Sequence, residues 1–195
     1  MKKVTMIRMA MFAIMLSGLL FPRGIRAQEA KETTKYEKHE ETQERITGDA
    51  KMAKAAFLKA DPSMGNLFKH SYGYVVFPNV GKGGIGVGGA GGRGAVYEKG
   101  KLIGTAQMVQ VTLGAQAGGQ AYREVVFFEN KAALDRFTGN KFEFSGQVSA
   151  IAAKAGSSAN ANYREGVVVF TQEKGGLMLE ASLGGQKFTF HPLMK

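Results

Sequence analysis

Fifteen of the chain's 27 glycines fall between Gly73 and Gly119. No collagen period runs through them, and Val, Ile, Phe and Tyr are interleaved throughout, so the stretch is neither fibrous nor low in apolar content. Each glycine costs a helix about 1 kcal/mol relative to alanine, which rules out helices across this tract. In strands, the same residues let a sheet coil sharply and let backbones approach closely. The tract therefore demands strands, and a sheet that bends.

The pattern around it agrees. Tyr74-Val75-Val76-Phe77 is β-rich and ends at Pro78-Asn79, and Gly84 to Val96 alternates small and apolar residues. A turn at Glu98-Lys99-Gly100-Lys101 leads into strands over Leu102–Val111 and Ala121–Phe128. Asn130 caps a short helix, Lys131 to Phe137, that Gly139 ends. Phe142 to Ala155 reads as one long strand, followed by strands over Gly166–Thr171, Leu177–Leu183 and Lys187–Phe190 with glycine turns between them. Consecutive short strands with tight turns give an antiparallel sheet curled into a barrel or a sandwich.

Before the sheet the period changes. Ile46, Ala50, Ala53, Phe57 and Ala60 form one apolar stripe at helical spacing, with Lys51, Lys54 and Lys59 elsewhere on the segment. Asp61-Pro62 reads as an N-cap and first helical residue for a second short helix through Leu67 and Phe68. The fold class is α+β, with N-terminal helices packed on a curled, mostly antiparallel, glycine-rich sheet or barrel.

Residues 1–27 have the zones of a secretory signal. Lys2, Lys3 and Arg8 precede an apolar run from Met9 to Phe21, Pro22 breaks it, and Ala27 offers a cleavage site. That run is too short for a membrane-spanning helix, which needs roughly 20 apolar residues. Losing the five basic residues of this segment lowers the formal net charge from +10 to +5. Residues 28–45 are polar and densely charged and read as a tether outside the core. The protein is expected to be exported, periplasmic or secreted, and peripheral at a membrane surface.

The chemistry is defined largely by exclusion. There is no cysteine, hence no disulfide, thiolate metal site or cysteine nucleophile. Gly84-Ile85-Gly86-Val87-Gly88-Gly89 matches a dinucleotide-binding pattern, but Ala90-Gly91-Gly92-Arg93-Gly94 cannot open the helix such a site requires. His39, His70 and His191 have no zinc-ligand spacing, and no Gly-x-Ser-x-Gly elbow or acid–base pair stands out. No catalytic, cofactor or metal residue is nominated. Dispersed basic residues and the lack of tryptophan argue against nucleic acid.

Several segments then resemble one family in order. Gly73-Tyr74-Val75-Val76-Phe77-Pro78 with Gly83 to Gly89 is similar to the opening of the SYLF domain. Leu113 to Gln120 resembles its central Gly-x-Gln-x-Gly segment, Val125 to Phe137 its strand and short helix, and Gly175 to Leu183 its closing hairpin. The likeness spans about Ile46 to Phe190, most of the mature part, and places the domain at residues 46–193. It implies a non-enzymatic protein that binds anionic membrane lipids, phosphoinositides or other anionic phospholipids, and some members bind actin. The chain lacks the tryptophan often found before the central segment. Lys51, Lys54 and Lys59 on the helix, and Lys82 and Arg93 flanking the glycine tract, are the expected headgroup contacts, with exposed backbone N–H groups of the tract helping to hold a phosphate. The competing expectation is a periplasmic structural or protein-interaction module that uses the sheet surface.

Overall fold

A computed structural model describes the backbone of residues 23–144, 149–175 and 185–193. Within that span it describes the side chains of residues 40–83, 89–110, 120–144, 149–174 and 185–193. Most of the export segment, residues 1–22, and the expected strand Leu177–Leu183 lie outside the described residues.

Helix α1 runs Arg23–Ala60. It passes without a break through the segment read as a tether. Residues 27–47 contain no glycine or proline and are rich in Glu, Lys and Gln, which favour helix even without a core to pack on. The chain divides at Thr42, and the body begins at Gln43. From there most of the expected stripe is buried, Ala60 being half-buried: Ile46, Ala50, Ala53 and Phe57 are 7% exposed or less. They pack with Met64 and Phe68 of the short helix α2, Met64–His70, against Tyr74, Val76, Val125, Phe127, Val168 and Phe170 of the sheet.

Asp61 does not cap α2. The helix begins after Ser63, whose side chain makes no capping bond. The fully buried Asp61 carboxylate instead accepts from the backbone N–H groups of Ser63 (3.1 Å), Gly156 (3.2 Å) and Ser158 (2.8 Å), and from the Ser157 hydroxyl (3.2 Å). Burial disfavours its charge, but the bonds from Ser63, Ser158 and Gly156 outweigh that and hold the carboxyl well below the usual range. A lone N-cap would satisfy one or two donors. With the Ser63 hydroxyl (2.5 Å) as well, this anchor satisfies five and ties the helical turn to a loop some 95 residues away.

The sheet is dominated by one hairpin. Strand β1, Gly73–Glu98, pairs antiparallel with β2, Lys101–Phe128, around the turn residues Lys99 and Gly100, both at positive φ. β1 does not stop at Pro78-Asn79, where a register irregularity absorbs the proline. Fully extended, 26 residues would reach about 85 Å. Yet the ends of β1 touch, because a side-chain carbon on Gly73 would lie 2.8 Å from the Tyr97 carbonyl oxygen. The hairpin is folded in half. A second register shift between Ile85 and Val87, opposite Leu113 to Ala117, marks the fold line in the glycine tract. The two halves then cross closely. A side-chain carbon on Gly92 would stand 2.8 Å from the Asn79 carbonyl oxygen, and one on Gly94 2.7 Å from that of Val76.

Between the halves lies the larger core, with Val75, Phe77 and Val80 on one side, Ala90, Val96, Ala106 and Met108 on the other, and Phe128, Phe142, Phe144 and Phe188 around them. Helix α3, Lys131–Thr138, adds Ala133, Leu134 and Phe137. Its cap is as expected, with Asn130 accepting from the Ala133 N–H at 3.0 Å and Gly139 ending it. β4, Val167–Gly175, and β5, Gln186–Pro192, both pair antiparallel with β2, on its second and first halves respectively. β3 is only Ala150–Ala152 and runs parallel to β4. The expected long strand over Phe142–Ala155 is not formed. Within it Glu143 forms an isolated bridge to Lys187 on β5 and only residues 150–152 are strand, parallel to β4, while residues 145–148 lie outside the described residues.

The tight crossing generates a direct test. Gly94→Val should lower stability by about 1–3 kcal/mol, as overpacking of a closed core does. Gly81→Ala, where a side-chain carbon meets nothing within 4 Å, should stay within about 1 kcal/mol of the parent. Urea midpoints read both, and equal midpoints would mean that the halves do not pack as described.

Candidate functional site

Strand alternation sorts the expected basic contacts onto different surfaces. Lys51 and Lys59 are exposed on α1. Lys54 is half-buried, and its ammonium donates to the Tyr74 hydroxyl at 3.2 Å and lies 4.6 Å from the centre of the Phe68 ring. Partial burial pushes its pKa below the ordinary lysine value. Lys82 is half-buried on the strand face of Val80, whereas Arg93 is exposed on the opposite face, that of Ala95. The five residues therefore do not share one face. The backbone of the Gly84–Gly89 motif continues as strand, and no helix follows it.

Arg93 does have close company, from residues the sequence reading passed over. In the second half of the hairpin, Ala106, Met108 and Gln110 face inward, so Thr105, Gln107 and Val109 face out. On β5, Gln186 and Phe188 face inward, so Lys187, Thr189 and His191 face out. Register aligns these positions into rows. Arg93 stands opposite Gln107, which stands opposite Thr189, and the flanking rows join Thr105 to His191 and Gly91 to Val109 and Lys187. The result is an exposed face across three strands carrying Arg93, Lys187 and His191, hydrogen-bonding side chains between them, and one exposed apolar residue, Val109, at 48%. Lys187 reaches the exposed Glu143 carboxylate at 3.3 Å, a solvated pair that contributes little to stability. Sequence alone could have raised Lys187 and His191 only by pairing β5 with the correct half of β2. Among the described residues no group of three or more His, Asp or Glu side chains is placed to hold a metal ion. No described helix is long and apolar enough to cross a membrane.

The fold and this face define an α+β module with a broad exposed sheet surface. Residues 109–192 match the Ysc84 family, described as Las17-binding protein actin regulator. The chain is also 30% identical over 147 residues to beta cell expansion factor A of Aeromonas veronii, covering 70% of this chain and 54% of that protein. It thus spans about half the length of the curated relative it matches. Over residues 109–192 the chain carries a SYLF (Ysc84) family domain. The matched span takes in most of β2 together with α3, β3, β4 and β5, so it includes Val109, Lys187, Thr189 and His191 of the exposed face, while Arg93, Thr105 and Gln107 lie before it.

The two kinds of lysine on α1 should separate on mutation. Lys54→Gln removes a partly desolvated cation from above two aromatic rings and should cost about 0.5–2 kcal/mol. Lys51→Gln and Lys59→Gln should change stability by less than about 0.5 kcal/mol. Chemical denaturation of the three variants makes the comparison, and a Lys54→Gln midpoint equal to the others would show that the ring contact contributes nothing.

Proposed function

We propose that this chain is a non-enzymatic binder of anionic membrane lipids, exported and peripheral at a membrane surface. The observation that carries the reading is the exposed three-strand face on which Arg93, Lys187 and His191 align with Gln107, Thr105 and Thr189. Phosphate-bearing headgroups suit it, because a flat face with cations and neutral donors meets many oxygens at once without a deep pocket. Lys51 and Lys59 add exposed charge on α1. The net positive charge favours the same partners. The family description names a protein partner, so a protein-interaction module is the second reading.

Vesicle co-sedimentation separates the two. Binding is expected to vesicles containing anionic phospholipid, little to pure phosphatidylcholine, and to weaken as salt rises, because exposed charges are screened over about 8–10 Å. Each basic residue near the surface contributes about 1 kcal/mol. Arg93→Gln with Lys187→Gln should therefore weaken binding about 30-fold, and Lys51→Gln with Lys59→Gln by a similar or smaller factor. Binding that is equal on neutral vesicles and insensitive to salt would contradict the electrostatic reading and favour the protein partner.

Export has its own measurement. The charged, apolar and polar zones of residues 1–27 motivate cleavage after Ala27. N-terminal sequencing of protein recovered from the producing cell's envelope or medium should begin at Gln28, and an intact Met1 in that material would rule cleavage out.

A further inference from the structure

The inward side of the same strands carries a polar group that neither the fold nor the proposed surface uses. Glu124 on β2 is completely buried, between Phe77 of β1 and Thr171 of β4 in the register of the sheet. Gln186, the first residue of β5, is also completely buried, and opposes the buried Gln110 on the other half of β2. Gln186 Nε2 donates to Glu124 Oε2 at 3.2 Å. That bond links the first half of the folded hairpin, which carries Glu124, to β5, the strand that edges its second half.

The chemistry of the pair is lopsided. Glu124 Oε1 and Gln186 Oε1 are both buried and have no hydrogen-bond partner among the described residues. Two acceptors thus face the interior with no donor, and a buried acceptor left unmatched is costly. A proton on Glu124 corrects both faults, since it removes the charge and turns one acceptor into a donor. The Gln186 amide can present either its N–H or its oxygen, so it can bond both forms of the carboxyl.

We infer that Glu124 is a proton-operated latch: as the neutral acid it holds β5 against the folded hairpin, and its ionisation loosens that strand. Among the described residues no compensating charge acts on it. β2 offers Tyr122, whose hydroxyl is pushed up by burial and further by the Glu124 charge. β1 offers Phe77 and Val80, and β4 offers Thr171, with Glu173 exposed opposite Tyr122. β5 offers only Gln186, because Lys187 points outward to Glu143. Phe188, two residues along, gives the latch its leverage. Its ring centre lies 5.3 to 5.9 Å from those of Phe137, Phe144, Phe77 and Phe142, so movement of β5 disturbs the whole aromatic core.

Burial pushes the Glu124 carboxyl up to about 7, with the Gln186 bond opposing the shift. The folded chain then keeps a proton that the unfolded chain, near the ordinary glutamate value of 4.5, has already lost. Stability from this group is greatest below pH 4.5, falls through the window from 4.5 to 7, and is flat above it. Each pH unit within that window shifts the folding equilibrium about tenfold against the native state.

The test uses the full chain and two readouts. Urea denaturation between pH 5 and 8 should show the parent losing roughly 100-fold in its folding equilibrium relative to Glu124→Gln. Hydrogen exchange, corrected for its intrinsic pH dependence, should show amides of β5 losing protection above pH 7 more than those of residues 73–77 and 125–128. Parallel pH profiles for parent and variant would overturn the latch, as would a uniform loss of protection. If the variant fails to fold, carbon-13 labelling of glutamate side chains in the parent decides by NMR. A carboxyl titrating near 7 supports the proposal, and all glutamates titrating near their ordinary value would sink it.

Discussion

Position 94 has no room for a side chain, and much of the architecture follows from that. Gly92 and Gly94 bring the second half of β1 directly over the carbonyl groups of Val76 and Asn79 in its first half. With a larger residue there, the hairpin could not double back at this spacing. Once doubled, it encloses Phe77, Val80, Val96 and Met108 between its own two halves. The outer surface of the first half is left to α1 and α2, and part of the outer surface of the second half remains open as the rows around Arg93. The core, the helix-covered face and the proposed lipid face are three consequences of one fold line.

Much of this was legible in the residues. The glycine tract announced a sheet that bends, the Ile46-to-Phe57 stripe announced a packed helix, and Asn130 and Gly139 marked the ends of α3. Other features depend on long-range partners that no local pattern encodes. Asp61 looks like an ordinary cap until Gly156, Ser157 and Ser158 supply their donors. Lys54 looks like another exposed lysine until the Tyr74 and Phe68 rings arrive beneath it. Phe142 to Ala155 has strand-like alternation, but its described ends find different partners, Lys187 of β5 and strand β4. The face around Arg93 was half visible, since Lys187 and His191 join it only when β5 lies beside the first half of β2 rather than beside β4.

The two surfaces of the β1–β2–β5 layer divide the labour of the molecule. Outward, cations and neutral donors alternate on a flat exposed lattice suited to many weak contacts. Inward, Glu124 and Gln186 sit at the edge of an aromatic cluster where a single charge is decisive. A lipid surface that is negatively charged also concentrates protons in the water next to it. The same encounter that engages the outer face would therefore favour the neutral form of the inner acid, and so the closed arrangement of β5.

The turn at Lys99 and Gly100 also bears on how the chain reaches this state. Both residues take positive φ, the geometry of a two-residue hairpin turn, so pairing can zip outward from Glu98 and Lys101 within a short stretch of chain. A hairpin assembled that way carries exposed Val, Phe and Tyr on both faces of the half that ends at Gly73 and Phe128 until it doubles over and the helices arrive. Folding in the midst of other copies becomes a race between collapse at the glycine bend and association with a neighbouring chain.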